Sequence, residues 1–80
     1  MARYFFDLHE CGTTFPDGEG VDCSDIATAR DLAIRSARGL MASEIQGGRL
    51  CLSCHIEVRD DQGVAVATVT FKDAVVISGR

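Results

Sequence analysis

The stretch from Ile26 to Gln46 constrains this chain more than any other, because it carries apolar side chains at helical spacing between a clear start and a clear stop. Ser24 or Asp25 supplies the N-cap, and Gly47-Gly48 ends the run. Ile26, Ala29, Ala33, Ala37, Leu40 and Met41 share one stripe. Alanine at every fourth position lets such a helix approach closely whatever it covers, and Asp31 stands four residues before Arg35, as an ion pair on the wet side requires. Gly39 is the weak point, costing about 1 kcal/mol against alanine. It is either an accident or a further close contact.

The segments flanking the helix read as strands. Arg3 to His9 alternates, with Tyr4, Phe6 and Leu8 on one side and Phe5, Asp7 and His9 on the other. Cys11-Gly12-Thr13 turns the chain into a second short strand from Thr13 to Phe15. Pro16-Asp17-Gly18-Glu19-Gly20 then interrupts that strand, which places it at an edge.

After the helix, Leu52, Cys54, Ile56 and Val58 alternate with Ser53, His55, Glu57 and Arg59, the pattern of a half-buried strand. Asp60-Asp61-Gln62-Gly63 forms a hairpin turn into Val64 to Phe71, a strand apolar on both faces. Ala74 to Ile77 extends or caps the sheet. The order strand, strand, helix, strand, strand predicts an α+β fold (ββαββ), one long helix packed on one face of a small, mainly antiparallel sheet. Residues 1–80 form a single domain.

One helix covers one sheet face, so Phe5, Val69 and Phe71 are assigned to the other. An uncovered apolar face in a chain of 80 residues points to a homodimer contact. The size argument agrees, since so short a chain buries only about 60% of its unfolded surface.

Twelve acidic against eight basic residues give a net charge of -4, which disfavours polyanions, and Arg30, Arg35 and Arg38 are spread around the helix rather than aligned. Nucleic acid is not an expected partner. No apolar run reaches membrane-spanning length, and Asp7 falls where a secretory signal would continue. A cytoplasmic location is expected, and there the four cysteines would be reduced.

Cys51-Leu52-Ser53-Cys54-His55 has the spelling of a c-type haem attachment site. On a strand, however, residues 51 and 54 face opposite sides, with Cα atoms about 10 Å apart. No porphyrin edge takes both, and no cofactor is expected. Zinc is the stronger rival, if Cys51 and Cys54 lie on a turn after Gly47-Gly48 instead of in the strand. Cys11 and Cys23 are too far apart in sequence to form the second knuckle. The metal candidates are therefore Cys51, Cys54 and, at most, His55; nothing in the spacing supports a cluster of His9, Cys11 and His55.

Asp7 with His9, or Ser53 with His55, can be drawn as catalytic pairs, but no nucleophile turn accompanies them. No enzyme is expected. Asp17 to Asp22 is acidic and glycine-rich without the ligand order of a calcium loop.

Arg3-Tyr4-Phe5-Phe6-Asp7, Pro16-Asp17-x-x-Gly20-Val21, the alanines at 29, 33 and 37, Ile56-Glu57-Val58-x-Asp60-x-x-Gly63 and Phe71-x-Asp73-Ala74 together resemble a family of short alphaproteobacterial proteins. That family is a domain of unknown function, and the resemblance covers nearly the whole chain. It implies a small soluble bacterial protein with no assigned activity and no catalytic residues to carry over. Asp17 to Val21 followed by the alanine helix is also similar, more loosely, to the HicB-type antitoxins. The chain lacks their appended DNA-binding segment, so this likeness implies a partner-binding module acting through an acidic face or a sheet edge. The combined expectation is a non-enzymatic, homodimeric interaction module, with zinc binding through Cys51 and Cys54 as the alternative.

Overall fold

The computed structural model describes residues 1–79, and it shows one helix on a five-stranded antiparallel sheet, an α+β fold. The strands are β1 (Ala2–Glu10), β2 (Thr13–Phe15), β3 (Val21–Cys23), β4 (His55–Arg59) and β5 (Ala65–Thr70), with α1 (Ile26–Gln46) between β3 and β4. The sheet order is β2-β1-β4-β5. β3 pairs with the first half of β1, and β2 with its second half. The two short strands are thus pieces of one returning strand that the Pro16–Gly20 loop interrupts, as turn residues at an edge require.

Register decides which side chains meet α1. Phe6 pairs with Val58 and Leu8 with Ile56, while Ile56 and Val58 pair in turn with Val69 and Ala67. These residues share the helix-covered face, and with Tyr4, Phe71 and Ala74 they enclose the core. From the helix come Ala29, Ala33, Ala37 and Met41, the alanines fully buried. The small methyls let the backbone lie close, and the sheet supplies most of the apolar volume. Ile26 and Leu40, expected on the same stripe, are exposed. Asp31 and Arg35 form no ion pair; among the described residues those found are Arg3–Asp22 and Asp7–Arg59.

The helix ends are bonded as the sequence suggests. The Asp25 carboxylate accepts from the Thr28 N–H at 2.8 Å. At the other end the Gly48 N–H donates to the Ile45 carbonyl and the Arg49 N–H to the Glu44 carbonyl, which turns the chain sharply out of the helix. Ala74 to Ile77 adds no strand. Ala74 caps the core instead, and its carbonyl accepts from Arg38 Nε at 2.7 Å.

Two face assignments need correction. Val69 and Phe71 are buried beneath α1, so neither is available to a partner. The opposite face is polar rather than apolar: register places Phe5, Asp7 and His9 beside Arg59, Glu57 and His55. Asp7 is nearly buried there because the Pro16–Gly20 loop folds over it. Arg59 Nε and Nη2 donate to its two carboxylate oxygens at 2.6 and 3.2 Å, and the Asp17 N–H donates to Oδ1 at 2.9 Å. The Arg59 guanidinium also sits 5.4 Å from the centre of the Phe5 ring. The loop is held by Asp17, whose carboxylate accepts from the N–H groups of Phe6, Glu19 and Gly20.

Candidate metal centre

Cys51 to Cys54 is not strand. The chain bends through these residues after leaving α1, and β4 begins only at His55. The alternation expected from Leu52 holds only from His55 onward, so the two thiols are not forced to opposite faces. A bend can bring together residues three apart that an extended chain would separate.

A third thiol arrives from the end of the neighbouring strand. β1 and β4 pair with His9 opposite His55, so the chain just beyond His9 runs beside the chain just before His55. The β1–β2 connection is a two-residue hairpin, Cys11-Gly12, and both residues have positive φ, 48° and 79°. That backbone is the one a tight hairpin demands, and it is costly for a residue with a Cβ. At this tip Cys11 meets Cys51, with their Sγ atoms 3.8 Å apart. The Sγ atoms of Cys11, Cys51 and Cys54 all lie within 4.8 Å of one another. All three are free thiols.

The three differ in their surroundings. Cys54 is 1% exposed and forms the floor, Cys51 is half-buried, and Cys11 is exposed at the rim. The Ser53 hydroxyl, 3.4 Å from Cys51 Sγ, draws that thiol down to about 7, helped by the Cys54 thiol and the Ser53 N–H. Burial, followed by the neighbouring Cys51, pushes Cys54 up to about 12, although the Cys11 N–H directed at its sulfur opposes this. Cys11 is raised chiefly by its hydrogen bond to Cys51. One thiol in the cluster therefore ionises readily near neutrality and resists the ionisation of the other two, a situation a bound cation reverses.

His55 does not join the thiols. Its ring stacks on His9 on the free sheet face, with centroids 4.5 Å apart and planes inclined by 8°. His9 Nδ1 is 3.2 Å from the Thr14 hydroxyl, and its Nε2 is buried without a partner. Cys23 is also apart, buried at the end of β3. A porphyrin would have to reach the buried Cys54 and turn His55 out of its stack, so the haem spelling does not fit this site. Phe5 is half-covered by its own chain. Cys11, set aside on sequence spacing because it makes no knuckle with Cys23, is the third donor; the signal for it is the hairpin pattern ending β1, once β1 is paired with β4.

Comparison with known proteins finds one family over most of the chain. A family profile, domain of unknown function (DUF6894), matches residues 3–72. The chain belongs to the DUF6894 family. The DUF6894 match contains all three clustered cysteines and both histidines. No curated protein and no solved structure matches the chain. Among the described residues, no helix is long and apolar enough to cross a membrane.

Proposed function

We propose that this domain binds one thiophilic metal ion of the zinc class through the thiolates of Cys11, Cys51 and Cys54, as a binding module and not an enzyme. The observation that carries the reading is the three-sulfur cluster, with every Sγ within 4.8 Å of the others. With zinc–sulfur bonds near 2.3 Å, sulfurs on one edge of a tetrahedral site stand about 3.8 Å apart. Cys11 and Cys51 already have that separation, 3.8 Å. The other two separations, neither above 4.8 Å, would close to it through small side-chain rotations. The Ser53 hydroxyl and N–H on Cys51, and the Cys11 N–H on Cys54, are donors that stabilise thiolate ligands. All-sulfur donors select soft or borderline cations over magnesium and calcium. A reducing cytoplasm, the expected location, keeps such thiols available.

Zinc titration against a chromophoric chelator tests this. One equivalent should bind, and Cys11→Ser, Cys51→Ser and Cys54→Ser should each weaken it by at least tenfold while Cys23→Ser leaves it unchanged. Equal affinity in all four variants would refute the assignment.

A second reading, the homodimeric interaction module, is supported by β5. Among the described residues this strand pairs only with β4, and its sequence, Ala65-Val66-Ala67-Thr68-Val69-Thr70, carries no charge or proline to guard the free edge. A second copy pairing edge to edge would satisfy those backbone groups. Sedimentation equilibrium decides: a dimer dissociated by Thr68→Pro supports it, and a monomer at high concentration rejects it.

A further inference from the structure

Resting on the metal reading above, we propose that the bound ion keeps a fourth, solvent-facing coordination position that takes an exogenous thiol. The donor count leads to this. Closed structural zinc sites have four protein ligands, whereas sites with three leave one position to water or to an incoming ligand. Among the described residues the cluster contains three Cys, His, Asp or Glu donors and no fourth. Cys23 lies elsewhere in the core, and His9 and His55 are engaged with each other on the free sheet face. The Ser53 hydroxyl, 3.4 Å from Cys51 Sγ, serves that sulfur as a hydrogen-bond donor.

The exposure pattern sets the direction of the missing ligand. Cys54 is buried and closes the inner side, while Cys11 is exposed and Cys51 half-exposed. With two of three donors at the surface, the remaining tetrahedral vertex falls on the solvent side. No reorganisation of the core is needed to fill it. An ion already held by three thiolates is matched in softness by a fourth sulfur, and small thiols are abundant wherever protein thiols stay reduced. Binding exchanges the vertex water for the thiolate and releases the thiol proton to solvent, with no oxidation.

Cobalt(II), which reports sulfur ligation through its charge-transfer absorption, is the probe. The cobalt-loaded full chain should first show the intensity of three cobalt–sulfur bonds. Adding 2-mercaptoethanol should raise it by about a third, as a fourth such bond forms. The Cys23→Ser chain should behave identically, and Cys11→Ser should start from a lower intensity. Four-sulfur absorption before any thiol is added, no response to the thiol, or dimerisation on metal loading would overturn the open position while leaving the metal reading intact. Failure of the chain to bind cobalt or zinc at all would overturn both.

Discussion

The sulfur atoms of Cys11 and Cys51 lie 3.8 Å apart although forty positions separate them in the chain. Two features impose this meeting: a two-residue hairpin that throws Cys11 to the end of β1, and the β1–β4 register that brings that end beside the bend before β4. The site is thus a product of topology more than of any local motif.

Cys51 should be the fastest thiol to react in the metal-free protein. With its ionisation drawn down to about 7, it is substantially thiolate at neutral pH, while Cys54 is held up near 12 and stays protonated. Alkylation by iodoacetamide, followed by peptide mass analysis across pH 5 to 9, should label Cys51 first with a midpoint near 7. Ser53→Ala removes the main cause of the shift and should move that midpoint upward.

Breaking the Asp7–Arg59 pair should destabilise the fold. Asp7→Ala leaves Arg59 without its partner, but that side chain is 28% exposed and recovers water, so a loss of about 2 kcal/mol is expected. Urea unfolding of the two proteins at pH 7 measures it.

Acid should weaken the native protein for a related reason. Arg59, and the Asp17 N–H, hold the Asp7 carboxyl below the ordinary aspartate range, and backbone N–H groups do the same for Asp17. Both carboxylates are depressed in the folded state. Their stabilisation is therefore fully present above the unfolded aspartate value and is lost as pH falls through the lower folded values. Unfolding midpoints should drop below pH 4, and in Asp7→Asn that drop should be smaller.

Glycine substitutions should go in opposite directions at two positions. At Gly20, where φ is +73°, a Cβ would stand 2.9 Å from Arg3 Cγ, Phe5 Cε1 and the Tyr4 carbonyl oxygen. Gly20→Ala should cost about 1–3 kcal/mol. A Cβ at Gly39 meets nothing within 4 Å, so the helix glycine marks no close contact. Gly39→Ala should stabilise by about 0.5–1 kcal/mol, read from the same urea curves.

Much of the fold was legible because period is a local property. The alanines at 29, 33 and 37 face the sheet as their spacing requires, and Ile56 and Val58 alternate inward. Sequence pattern alone puts Val69 and Phe71 on the wrong face, because a strand rich in β-branched residues looks apolar on both sides. Only pairing with β4 shows which side the helix covers. The site was half legible: Cys51 and Cys54 attract notice by spacing, but the apolar Leu52 made their bend look like the start of a strand. Cys11 could not be joined to them from spacing alone, since its proximity depends on the register of two strands far apart in sequence.

Sulfur coordination is the centre of this account, and X-ray absorption at the zinc edge of the zinc-loaded chain measures it directly. The structure predicts a shell of three sulfurs at about 2.3 Å with one lighter atom, in the absence of added thiol. A first shell made mainly of nitrogen and oxygen would contradict it, and would mean that Cys11, Cys51 and Cys54 stand together for some reason other than holding a metal.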